Sequence, residues 1–105
     1  MKVIPEPAVF EWDTGNIDKN FAKHGVTNKE IESVFSCQYK YTFFDERHSS
    51  ETEKRYMLWG VTNDNTGLSI IFTRRKDLVR VISARSMNRK ERRAYEKKVK
   101  ADTQI

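Results

Sequence analysis

Hydrophobic positions along the chain change their period twice, and those changes predict an order of elements. Val9-Phe10-Glu11-Trp12 is a short run of β-formers and reads as a first strand. Asp13 or Thr14 then caps a helix whose Ile17, Phe21 and His24 recur at i, i+4 and i+7, and Gly25 closes it. Thr27 and Glu30 have the spacing at which hydroxyl and carboxylate satisfy free N–H groups of a helix start; the helix they open carries Ile31, Val34 and Phe35 on one face. From residue 40 the period falls to two. Tyr39, Tyr41 and Phe43 alternate, and 45–50 is polar and turn-like. The run 53–62 is a strand with Arg55, Met57, Trp59 and Val61 on one side and Tyr56 and Leu58 on the other. Asn63 to Gly67 is a turn into a second arm, 68–74, and Lys76-Asp77 turns the chain into 78–86. Asn88 and Glu91 repeat the helix-start spacing and open a last helix to about Lys100, with Ala94, Tyr95 and Val99 as its apolar stripe. The order is β-α-α-β-β-β-β-α. It is an α+β class domain: a mostly antiparallel sheet of four to five strands, two N-terminal helices and one C-terminal helix.

The 105 residues, 1–105, fit a single domain. The lone cysteine, Cys37, excludes an internal disulfide and reads as a buried structural thiol between Phe35 and Tyr39. No apolar run approaches the roughly 20 residues of a membrane span, and residues 1–7 lack a secretory pattern, so a reducing cytoplasm is expected. Charge is unevenly placed. Residues 1–72 hold 8 Lys/Arg and 11 Asp/Glu, net −3, while 73–105 hold 12 and 4, net +8, together the chain's +5. A basic segment on a mildly acidic body implies a polyanionic partner, nucleic acid or acidic protein, unless it is only a solvated face.

Cofactor signatures are missing from the sequence: no G-x-x-x-x-G-K, G-x-G-x-x-G, H-E-x-x-H or G-x-S-x-G, and neither His24 nor His48 has metal-ligand spacing. No cofactor and no metal are therefore expected. Arginines are the notable feature, because Arg55, Arg74, Arg80 and Arg85 lie within or at the ends of predicted strands. Planar guanidinium groups suit phosphate and stabilise charge during in-line attack on it. RNA supplies its own nucleophile, the 2′-hydroxyl, so cleavage needs a proton acceptor, a donor and positive charge, without a metal. His48, Glu53 and Tyr95 are the candidate proton-handling groups, with Arg55, Arg80 and Arg85 as charge stabilisers. Each also has a plain structural role: loop histidine, ion-pair partner of Arg55 or Lys54, and core aromatic. His24 reads as a charge at a helix C-terminus. Arg74 and Arg75, with Arg89 and Arg92 of the basic last helix, are candidate RNA contacts. In a regular strand Arg80 and Arg85 point to opposite faces, and only a bulge or an early strand end reconciles them.

Phe10-Glu11-Trp12-Asp13, Asn20 and Lys23-His24-Gly25-Val26 resemble the opening of the BrnT toxins. Asp45, His48-Ser49, Glu53, Arg55, Gly60, Arg80, Ile82-Ser83-Ala84-Arg85, Glu91-Arg92 and Tyr95-Glu96 follow in that family's order. The resemblance covers residues 10 to about 97. It implies a fold related to RelE-like ribonucleases and RNA cleavage that arrests growth. It also implies a BrnA-like antitoxin, operator DNA bound only through the complex, and a heterotetramer of two toxins and two antitoxins. One position departs: Leu68 follows Gly67 where many relatives carry arginine. Two other readings stay open, an inactive antitoxin-bound co-repressor and a protein-interaction domain whose basic helix docks an acidic partner.

Overall fold

A computed structural model of the chain describes residues 3–103. The elements run β1 (Val9–Phe10), α1 (Lys19–His24), α2 (Asn28–Phe35), β2 (Tyr41–Phe44), a 3-10 turn (Glu46–His48), β3 (Arg55–Val61), β4 (Gly67–Arg75), β5 (Leu78–Ser86) and α3 (Arg89–Thr103). They form a five-stranded sheet in the order β1-β5-β4-β3-β2. Only the β1–β5 pairing is parallel. The α+β class and the element order match the expectation from pattern.

One face of the sheet is the core. Leu58, Ile70, Phe72, Val81 and Ala84 alternate inward from β3, β4 and β5, and Ile31, Val34 and Phe35 of α2 cover them. Leu68 shares this face at 1% exposure, so packing rather than charge occupies the position after Gly67. Thr27 and Glu30 form the expected reciprocal cap of α2. Gly60 permits the helix to approach, since a Cβ there would meet Val34 Cγ1 at 2.7 Å and Cys37 Sγ at 2.9 Å. Cys37 itself is only partly buried, its thiol facing the Tyr39 carbonyl at 3.3 Å.

The first helix departs from the expectation. It begins at Lys19, not after Asp13 or Thr14, and Ile17 and Phe21 are 44% and 58% exposed. The buried positions are Asn16 and Asn20, at 4% and 3%. Strand β1 stops after two residues, leaving the outer edge of β5 without a strand partner beyond Val79. The two amides take over that edge. Asn16 Nδ2 donates to the Val81 carbonyl at 3.3 Å, and Asn20 Oδ1 accepts from the Ala84 amide at 2.9 Å. Burial of an unpaired backbone group is costly, so these amides outcompete an apolar stripe for the inward side.

Between those two bonds β5 bulges. Phe72 pairs with Val81 and Ile71 with Ser83, so Ile82 is an extra residue with no counterpart on β4. The bulge resets side-chain parity. Val79, Val81 and Ala84 all face the core, and Arg80, Ser83 and Arg85 all face the other way. Arg80 and Arg85 therefore share a face, contrary to regular alternation.

Asn20→Ala should destabilise the fold by about 1–3 kcal/mol, because it leaves a buried N–H unpaired. Phe21→Ala, on the exposed side of the same helix, should change stability by no more than about 0.5 kcal/mol. Urea denaturation of the two variants checks this; equal effects would contradict the assignment of the inward side.

Candidate active site

The sheet face opposite the core is ordered in cross-strand rows. Arg80, Thr73 and Arg55 stand side by side on β5, β4 and β3. The next row is Ser83, Ile71, Met57 and Phe43, and the third is Arg85, Ser69, Trp59 and Tyr41. Asp45 extends the first row, its amide donating to the Arg55 carbonyl at 2.9 Å. First and third rows lie four residues apart along β4, about 13 Å at a rise of about 3.3 Å per residue. Arg80 and Arg85 thus occupy two ends of one face.

At the Arg80 end, charges alternate in a chain. Asp13 takes both Arg80 NH groups, at 2.8 and 3.1 Å, and Glu11 takes Arg80 at 2.9 Å. Glu11 also accepts from Arg75 at 3.3 Å. Arg75 lies 3.7 Å from Glu53, and Glu53 accepts from Arg55 Nε at 2.8 Å. Three strands and the segment after β1 contribute to this chain. Gly15 leaves room for it, since a Cβ there would sit 3.1 Å from Arg80. The Arg80 hydrogen bond holds the Asp13 carboxyl below the ordinary range, and the Arg55 hydrogen bond does the same to Glu53. Arg80 is raised in turn, first by its hydrogen bond to Asp13. Glu53 is therefore a fixed anion at neutral pH, suited to orienting Arg55 and Arg75 and unsuited to donating a proton.

His48 borders the same end. Its Nδ1 lies 2.8 Å from Asp45 Oδ2, the ring is largely exposed, and no described residue bonds Nε2. Ser49 ties this loop to β3: its hydroxyl donates to the Asp45 carbonyl at 2.6 Å and accepts from the Arg55 amide at 2.8 Å. An anchored Nδ1 with an open Nε2 is the geometry of a positioned proton acceptor.

The remaining expected residues lie elsewhere. Arg85 grips Glu91 with two bonds, at 2.7 and 3.0 Å, and Glu91 also caps α3 together with Asn88. Tyr95 is 4% exposed and donates to the Tyr39 carbonyl at 2.6 Å, with burial raising its pKa. Arg74 points to the turn, bonding the Lys76 carbonyl and Asp77. Arg92 fastens α3 to Asn65, while Arg89 is exposed at the helix start. Sequence reasoning missed Glu11, Asp13 and Asp45 as partners of the arginines and histidine. Only Asp45 left a signal, its position three residues before His48.

Carboxyls lowered by folding stabilise the fold above their unfolded pKa of about 4 and lose that effect as pH falls through the folded value. The charge chain should therefore contribute constantly from about pH 5 upward and fade below about pH 4. Melting temperature against pH should fall less steeply on the acid side for Asp13→Asn with Glu53→Gln than for the parent chain. Parallel curves would mean that the chain of charges adds nothing.

No curated protein matches the chain significantly. The family model described as the ribonuclease toxin, BrnT, of type II toxin-antitoxin systems matches residues 12–91, which include His48 and every residue of the charge chain except Glu11. The chain belongs to the BrnT family of ribonuclease toxins.

Proposed function

We propose that this chain cleaves RNA without a metal, at the end of the sheet where Arg55, Arg75 and Arg80 gather beside His48. The observation that carries the reading is this gathering of three guanidinium groups from three strands with a histidine whose Nδ1 is held by Asp45. His48 Nε2 takes the proton of the 2′-hydroxyl, whose oxygen forms a bond to phosphorus. The bond from phosphorus to the 5′-oxygen breaks, and that oxygen takes a proton from water. The products carry a 2′,3′-cyclic phosphate and a free 5′-hydroxyl. Arg80 and Arg55 stabilise the doubly charged phosphorane, and Arg75 contacts the neighbouring phosphate. Arg85, Arg89 and Arg92 hold RNA further along, and Arg74 follows the strand end. Tyr95 acts as a packing residue in this reading.

A type II toxin implies an antitoxin partner. We propose a BrnA-like protein, binding operator DNA within the complex, in a heterotetramer of two toxins and two antitoxins in the cytoplasm. The relation to RelE-like ribonucleases belongs to the same reading. One observation favours an alternative: Arg80 already holds two carboxylates, with its side chain 13% exposed, so phosphate must displace an acid. A non-catalytic co-repressor would retain such a closed arrangement.

Purified protein should cut single-stranded RNA in EDTA; a divalent-ion requirement would reject the mechanism. Arg80→Ala should lower the rate by about 10²–10³, and Arg80→Lys should not restore it fully, since an ammonium lacks the planar pair of donors. Arg85→Ala, at the far row, should cost much less. Induction should arrest growth; harmless expression with no cleavage would establish the co-repressor instead.

His48→Ala should cost about 10²–10⁴ in rate with RNA affinity nearly unchanged. Asp45→Asn should fall between His48→Ala and the parent chain, since it loosens the ring without removing it. Single-turnover cleavage at saturating protein separates rate from binding.

A further inference from the structure

A cleft of about 540 Å³ opens at the same end of the sheet as the arginine row, between segment 52–54 and turn 74–76. Its wall includes Thr73 and also Tyr56, which alternates to the core-facing side of β3, opposite Arg55. That size lies within the range of about 300–1,000 Å³ typical of small-molecule sites. Both segments contribute a cation. Lys54 and Lys76 both line it, both are exposed, and neither has an ion-pair partner among the described residues. Glu53 and Arg75 belong both to the cleft and to the charge chain, so the two sites are continuous.

Lys76 is also held in an unfavourable backbone state. Its φ is +56°, in the left-handed region, within a two-residue turn joining Arg75 to Leu78. Glycine adopts that state without steric cost, and a lysine there is strained. Strained residues cluster where a side chain serves a ligand. Here the strained residue is an exposed lysine that lines the cleft.

We propose that this cleft binds one ribonucleotide unit where the RNA passes round the end of the sheet from the scissile bond, by way of Arg75, its base against Tyr56 and its phosphate between Lys54 and Lys76. The inference rests on the ribonuclease reading and names a subsite for it. An aromatic wall takes any base face, the Thr52 hydroxyl, hydrogen-bonded among the described residues to Ser50 Oγ at 3.3 Å, has bonding capacity left for a base edge or ribose, and the lysines take the phosphate. A ribonucleotide combines all three chemistries, and inorganic phosphate offers only one.

Titration of the full chain with 3′-AMP, 3′-UMP, adenosine and inorganic phosphate, followed by amide NMR shifts, tests this. The nucleotides should bind about tenfold or more tightly than nucleoside or phosphate alone, given the worth of base–aromatic stacking. Shifts should centre on Thr52, Lys54 and Lys76. Lys76→Gly should melt higher, because strain is relieved, yet bind nucleotide about tenfold more weakly, as Lys54→Gln should. Phosphate binding as tight as nucleotide, affinity unchanged in Lys76→Gly, or no binding at all would each overturn the proposal. RNA cleavage is scored separately. Cleavage by a chain that ignores free nucleotides retires the subsite and keeps the ribonuclease; nucleotide binding by a chain that cuts nothing does the reverse.

Discussion

The arrangement depends on how the outer edge of β5 is satisfied once β1 ends. Asn16 and Asn20 bond its backbone on either side of the extra residue, Ile82. A bulge inside a sheet leaves backbone groups without ladder partners, and amide side chains on an adjoining segment are one of few ways to pair them in a dry setting. With the bulge held, Val79, Val81 and Ala84 all reach the core while both arginines of the strand emerge opposite. A regular β5 would keep only one of these outcomes.

The charge chain shows a second constraint. Arginines on adjacent strands repel, and in this fold each is separated from the next by a carboxylate: Asp13, Glu11 and Glu53 alternate with Arg80, Arg75 and Arg55. Such pairing fixes where each guanidinium points at little desolvation cost, because the groups remain partly hydrated. It also means that the acids, not only the arginines, define what can enter.

Much of the fold was legible from residue order, and for identifiable reasons. The alternation Arg55, Met57, Trp59, Val61 holds along β3 because that strand is regular and two-sided. The caps at Thr27 and Asn88 were legible because both partners lie within three residues. The first helix was misread because amides count as polar in any pattern, whereas Asn16 and Asn20 are buried by what they bond. The bulge left no mark, since neither Gly nor Pro stands at 82. Of the site, the arginines and His48 could be picked by type, but Asp13 and Glu11 lie 67 and 69 positions from Arg80, a separation no local pattern spans.

Alternating signs leave the charge chain near neutrality, three acids against three bases. The chain's net positive charge therefore comes from elsewhere, above all from α3, whose Arg93, Lys97 and Lys100 are exposed. In the proposed reading, capture and chemistry thus fall to separate regions. Added salt, which screens fields beyond about 8–10 Å, acts on the speed of arrival much more than on the events that follow contact.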